Sequence, residues 1–224
     1  LRNSNSSCPH RGVARRGPAG VTPLSGDWDA NGTDTVGIYV PASGAFFLRN
    51  TNTPGGADVL FTYGPSGSSL KPVVGDWDGN GSATAGLYDP ASGAFFLKNS
   101  NANGGADIVF TYGAGGLGLL PVIGDWNNDG VDTVGLYDPA TGAFFLKNTN
   151  AGGGADAVFT FGAGGLGYVP IAGDWNNDGA DGIGLYQPSS GAFFLKNTLG
   201  GGGADFAFFF GGGGQIPLAG DWNG

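Results

Sequence analysis

The sequence predicts an all-β protein, a β-propeller of about four and a half four-stranded blades of ~49 residues each, forming a five-bladed or an incomplete ring. Three observations predict it. A Gly-Asp-Trp tripeptide recurs with its aspartate at Asp27, Asp76, Asp125, Asp174 and Asp221, in steps of 49, 49, 49 and 47 residues. Periods of roughly 40 to 50 residues belong to propeller blades and related arrays. The segments between the tripeptides are short, β-branched or aromatic, and punctuated by Gly, Pro, Asn and Asp, with no helical period or length. These strands also carry apolar or small residues on both faces, as strands do when sheets cover them on both sides.

Residues 1–24 resemble a damaged repeat. Leu1-Arg2-Asn3-Ser4-Asn5 matches Leu97-Lys98-Asn99-Ser100-Asn101, and Pro23 to Trp28 matches Pro121 to Trp126. Between them the pattern Gly-Gly-Ala-Asp-x-x-Phe-Thr-Tyr-Gly is replaced by Cys8 to Pro18, as if a local reading-frame change had rewritten it, and no regular strand is expected across residues 8–18. From Pro23 the unit is clear, and the third copy shows it best. Pro121-Val122-Ile123-Gly124 is an apolar run ending at the Asp loop, and Thr133 to Tyr137 is a second strand stopped by Asp138-Pro139. Ala143 to Lys147 is a third strand, and Ala155 to Phe161 a fourth beyond a Gly/Asn-rich loop. The glycine before each Asp-Trp suits an inner strand, where blades crowd the axis and a side chain would clash. Cut at each Leu-(Lys/Arg)-Asn, the units of this single repeat domain span 1–47, 48–96, 97–145, 146–194 and, in part, 195–224. Closing the ring then needs whole blades, one blade stitched from both termini, or strands from another molecule.

Composition narrows the function. The net charge of −9 argues against a nucleic-acid partner, which would call for a basic groove. No apolar run reaches the ~18 residues of a membrane span. The single cysteine, Cys8, allows no internal disulfide, and the chain carries neither an initiating Met nor a signal peptide, as expected of a processed form or a fragment. All 18 acidic residues are Asp, and 12 of them lie in the Gly-Asp-Trp loops. Short carboxylates confined to loops point to backbone capping or to cation binding.

The loop Gly124-Asp125-Trp126-Asn127-Asn128-Asp129-Gly130-Val131-Asp132 places oxygens at alternate positions, with a glycine for the sharp turn. With the downstream Thr-Val-Gly-Leu-Tyr, it resembles the calcium-loop propeller repeats called FG-GAP or VCBS repeats, found in integrin α-subunits and bacterial surface proteins, over roughly residues 23–224. The resemblance implies Ca²⁺ ligands at Asp125, Asn127, Asp129 and the Val131 carbonyl, with Asp132 as a closing acid one position early. The corresponding residues are Asp27, Asp29, Asn31 and Asp34 in the first copy, and Asp76, Asp78 and Asn80 in the second, where Ala83 replaces the closing acid. In the fourth they are Asp174, Asn176, Asp178 and Asp181. The alternative is that these Asp and Asn side chains form Asx turns that staple the loop without metal.

Other residues read as structural. His10 is the only histidine and lies in the aberrant segment, which argues against a His-based triad or zinc site. The Gly-Ala-Gly-Gly-Leu-Gly stretches at 113–118 and 162–167 follow a strand but open no helix, so they read as inter-blade loops rather than phosphate cradles. The repeated Trp28, Trp77, Trp126, Trp175 and Trp222, with Tyr39, Tyr88, Tyr137 and Tyr186, read as blade packing; exposed, they would stack on sugars. Lys98, Lys147 and Lys196 read as solvated strand ends. Catalytic sites need different residues in different roles, and a chain of near-identical units is not expected to be an enzyme. The expectation is an extracellular or cell-surface binding or adhesion module, lectin-like, with Ca²⁺-stabilised loops and a glycan or surface protein as partner. The alternative is a structural subunit that self-associates through its incomplete blades, or a piece of a larger propeller completed by additional strands.

Overall fold

The Asp-loop repeat sorts its strands into separate small sheets rather than one long one. The computed structural model describes residues 13–15 and 20–223, with side chains from Gly20 onward. A three-residue strand, β1 (Val13–Arg15), comes first. The first full sheet then takes β2 (Thr22–Gly26), β3 (Thr35–Val40), β4 (Ala45–Leu48) and β5 (Val59–Thr62). The second takes β6 (Lys71–Gly75), β7 (Thr84–Asp89), β8 (Ala94–Leu97) and β9 (Ile108–Thr111). The third takes β10 (Leu120–Gly124), β11 (Thr133–Asp138), β12 (Ala143–Leu146) and β13 (Ala157–Thr160). The fourth takes β14 (Val169–Gly173), β15 (Gly182–Gln187), β16 (Ala192–Lys196) and β17 (Phe206–Phe209). All are antiparallel meanders in chain order. The last strand, β18 (Ile216–Leu218), pairs with β1 in a separate two-stranded sheet.

The first strands form the ring. β2 lies against β6, β6 against β10 and β10 against β14, while β18 touches both β14 and β2. Four complete four-stranded blades therefore stand around the axis, and a two-stranded sheet sits between the fourth and the first. The sheets begin at the apolar strand before each Asp loop, one strand out of phase with units cut at Leu-(Lys/Arg)-Asn. The expectation of no regular strand across residues 8–18 is corrected by β1. Its register, Val13 opposite Leu218 and Arg15 opposite Ile216, places it where each full sheet has its second strand. Backbone pairing satisfies donors and acceptors whatever the side chains, so a rewritten segment can still close an open edge.

Each blade is held by an aromatic ladder across directly opposed residues. In the third, Tyr137 lies opposite Phe144 and Phe144 opposite Phe159. The ring centroids are 4.8 Å apart for the first pair, tilted, and 5.6 Å for the second, stacked. Tyr39-Phe46-Phe61, Tyr88-Phe95-Phe110 and Tyr186-Phe193-Phe208 repeat the arrangement. Such pairs add to area burial because the electron-rich ring face meets the neighbour's edge or offset face. The turn between second and third strands is set by Asp138, whose carboxylate accepts from the Ala140 N–H (2.9 Å) and the Thr141 hydroxyl (2.6 Å). The turn ends at Gly142 with φ at 79°, where a β-carbon would stand 2.6 Å from the Gly162 carbonyl oxygen.

Neighbouring blades share cores. Val134, Leu136 and Phe145 of the third blade pack with Tyr112 of the second, and Ala85, Leu87 and Phe96 of the second with Tyr63 of the first. Two sequence expectations need correction. The fourth strand is not covered on both faces: β13 alternates between half-buried and exposed, and Val158 is 61% exposed. An outermost strand has only one neighbour in its own sheet, so one face packs on the inter-blade core, through Ala157 and Phe159 in the third blade, and the other stays in solvent. Nor are two of the matched lysines solvated: while Lys196 is half-buried, Lys98 and Lys147 are buried, each Nζ donating to the carbonyl of Gly105 or Gly154 at 2.9 Å. Their ammonium groups lie 5.3 Å from the Tyr63 ring and 5.7 Å from the Tyr112 ring of the preceding blade, a cation–π contact across the seam.

Phe144→Ala should cost about 3–5 kcal/mol of unfolding free energy in a urea titration, because it empties a ladder position that is fully buried. Val158→Ala, on the exposed face of the same sheet, should change it by less than ~0.5 kcal/mol.

Candidate functional site

The Asp loops follow the first strand of each blade, at the crowded inner corner. In the third loop both oxygens of Asp125 accept backbone N–H groups, from Asp129 (3.1 Å) and Gly130 (2.8 Å). Asp129 Oδ1 accepts from the Val131 N–H at 3.0 Å. Asn128 takes φ of 57° and Gly130 φ of 84°, the left-handed turns that bring these donors inward. The first loop repeats the pattern with Asp27 on the N–H groups of Asn31 and Gly32, and Asn31 on that of Thr33. Asp76 and Asn80 do the same in the second, and Asp174 and Asp178 in the fourth. Asp29 and Asp78 are exposed, each two positions beyond its loop's first acid. All four loops are thus Asx-stapled, with short side chains substituting for backbone acceptors.

The closing acids do something else. Asp132 leaves its own loop and reaches the preceding blade, where its Oδ2 accepts the Asp76 N–H at 2.7 Å, while its own N–H donates to the Asp76 carbonyl at 2.8 Å. Asp181 clasps Asp125 the same way, at 2.9 and 2.8 Å. Asp34 clasps Asp221, at 2.6 Å for both bonds, and so joins the two-stranded sheet to the first blade. At the seam between the first and second blades Ala83 keeps only the backbone bond, its N–H to the Asp27 carbonyl at 2.7 Å. The glycines of Gly-Asp-Trp make room for this. A β-carbon on Gly75 would lie 2.9 Å from Asp132 Cβ, one on Gly124 2.7 Å from Asp181 Oδ2, and one on Gly220 2.6 Å from Asp34 Oδ2. The sequence pointed to these acids through their spacing, one position early for a cage. The blade they reach was the missing part.

Against a Ca²⁺ cage, the staple joins the first and fifth positions of each loop, but the closing acids do not join them. In the third and fourth loops the Asn127 and Asn176 amides donate to Asp129 and Asp178 at 2.9 and 2.8 Å, presenting N–H₂ rather than oxygen at the third position. Among the described residues no group of three or more His, Cys, Asp or Glu side chains could hold a metal ion. Hard cations need six or more oxygens, so the residues present fit part of a cage and not a whole one.

Burial dominates the electrostatics of the clasp. Withdrawal from water lifts Asp34 to about 6, the Asp221 N–H pulling it partly back and the charges of Asp221 and Asp27 adding to the rise. Asp132 is lifted to about 7 by burial, reinforced by Asp76, Asp125 and Asp34. Asp181 is lifted to about 8, with Asp132 the strongest of the charges facing it. The exposed Asp178 goes the other way, held down by the Ala180 N–H and the Asn176 amide.

The remaining repeated residues are structural. Trp28, Trp77, Trp126 and Trp175 are buried, Trp175 Nε1 donating to the Ile183 carbonyl at 3.1 Å. Asp58, Asp107, Asp156 and Asp205 each accept a backbone N–H eight residues back, at 2.8 Å, across the loop between third and fourth strands. Cys8 and His10 lie outside the described residues. No described helix is long and apolar enough to cross a membrane. Comparison with protein-family models, curated proteins and solved structures gives no match.

Because the clasp acids bind protons more tightly folded than unfolded, they favour folding at about pH 4, and that contribution is lost as pH rises toward about 8. The melting temperature should fall over this window. Asp132→Asn, which keeps an acceptor for the Asp76 N–H and removes the buried charge, should raise it at pH 8 and flatten the profile. Asp132→Ala should instead lose about 1 kcal/mol at pH 5.

Proposed function

We propose that the protein is a non-enzymatic, extracellular or cell-surface binding module whose repeated outer surfaces engage a partner at several equivalent points. The observation that supports this reading is the repetition of exposed apolar residues at matching places: Leu60, Val109 and Val158 on the fourth strands, 62%, 61% and 61% exposed. Leu117 and Leu166, on the loops between blades, are exposed in the same way. Equivalent weak contacts on one rigid ring raise avidity without any new interaction. The partner class is a glycan or a surface protein. With Trp28, Trp77, Trp126 and Trp175 buried and Trp222 half-buried, the contacts of this reading are made by the fourth strands and inter-blade loops. A glycan array probed with fluorescent protein should show binding that strengthens with printed density and falls on Val109→Asp. An array blank with and without Ca²⁺ removes the lectin version.

Ca²⁺ belongs to the same proposal as a loop stabiliser. It would be held by Asp125, Asp129, the Val131 carbonyl and Asn127 once its amide turns its oxygen inward, and by the matching residues of the first and fourth loops. The melting temperature should then drop by several degrees in EDTA and recover with excess Ca²⁺; a melt that ignores chelation ends this part of the reading. A second reading, completion of the ring by added strands, is favoured by apolar residues left uncovered on either side of the two-stranded sheet.

A further inference from the structure

Between the fourth and first blades the described residues form two strands where every other position holds four. Both walls of that interval are apolar. On the fourth blade Phe210 is 45% exposed, whereas its counterparts Tyr63, Tyr112 and Phe161 are between 3% and 6% exposed. Phe206 at the start of β17 is 39% exposed. On the first blade Ile38 is 38% exposed, whereas Leu87, Leu136 and Leu185 at the same register, opposite the strand proline, are each 1% exposed. The cores name what is missing. At the complete seams a third-strand phenylalanine of the following blade (Phe96, Phe145 or Phe194) joins the preceding blade's cluster, and the Leu87-type residue packs with the Tyr63-type residue. Among the described residues, the fourth blade's cluster receives Ala219 alone from the next sheet. β1 occupies the second-strand position, and its outer edge pairs with no described strand.

We infer that this interval is a strand-complementation site, which takes a β-hairpin of the repeat's own third- and fourth-strand type from another chain, paired to the open edge of β1. The inference rests on the reading that added strands complete the ring. Its occupant is specified by the three complete seams of the same molecule, with which the site is continuous around the axis. The third-strand Phe of the hairpin would cover Phe206 and Phe210, and its fourth-strand Tyr or Phe would cover Ile38. Main-chain pairing supplies affinity and the alternate side chains supply selectivity, as in other strand additions.

The test is fluorescence anisotropy with a labelled, cyclised peptide of residues 142–162, titrated with the whole chain. Saturable one-to-one binding is expected in the micromolar range, absent for a scrambled peptide. Phe210→Asp and Ile38→Asp, both on exposed walls, should each weaken it at least about tenfold with an unchanged melting temperature. Val158→Asp, on a fourth strand of a complete blade, should leave it intact. No saturation by ~100 μM, equal binding of the scrambled peptide, or indifference to both wall variants overturns the inference. Native mass spectrometry separates it from self-association. A monomer that binds the hairpin ends the self-association version and keeps this site, and a dimer that forms while the peptide fails to bind does the reverse.

Discussion

Everything in this ring depends on how closely the first strands approach one another at the axis. That approach is set where a glycine carries no side chain and an aspartate from the next blade fills the space. The reciprocal bond between Asp76 and Asp132, repeated at Asp125 and Asp181 and at Asp221 and Asp34, joins backbone to backbone and backbone to carboxylate in the same few ångströms. With the inner ends pinned, the second and third strands of successive blades are carried into register. Leu136 then meets Tyr112, and Lys147 comes to lie over the same ring. The apolar seam supplies most of the attraction, and the polar clasp fixes which register that attraction uses.

The clasp has an electrostatic cost that the fold tolerates rather than avoids. Three carboxylates are drawn out of water toward one another, and only one backbone N–H per acid offsets the loss. The first acids of the loops are only half-buried and accept two or three N–H groups each. Two sets of aspartates seven positions apart in one loop therefore live in different environments, although their sequence context is nearly identical.

The blade was legible in the sequence because its causes are local. Strand limits around Pro121, Thr133 and Ala143 follow from turn residues and β-branched runs, and the role of Gly124 follows from its place beside the axis. What escaped sequence reasoning lies between copies. Periodicity says that Asp132 and Asp181 are equivalent, but not that each reaches backward to its neighbour. The lysines read as solvated because a long cationic side chain usually is; only the three-dimensional seam places Tyr63 and Tyr112 beneath them. β1 escaped because its pairing uses backbone alone, which leaves no pattern in the side chains. In the candidate site, the first and fifth loop positions meet through the Asx staple in all four loops, while the closing acids are drawn to the adjacent blade.

The alanine at position 83 gives the ring an unequal joint. Its seam keeps the Ala83 N–H on the Asp27 carbonyl and gains the Ser82 hydroxyl on the Trp28 carbonyl at 3.1 Å, but it buries no acid. The cohesion of the first two blades is therefore insulated from proton activity, whereas the three clasped seams are not. In alkaline solution the clasped seams would therefore loosen before the joint of the first two blades. The molecule's native-state opening, followed by amide exchange, would divide along that line into separate cooperative units.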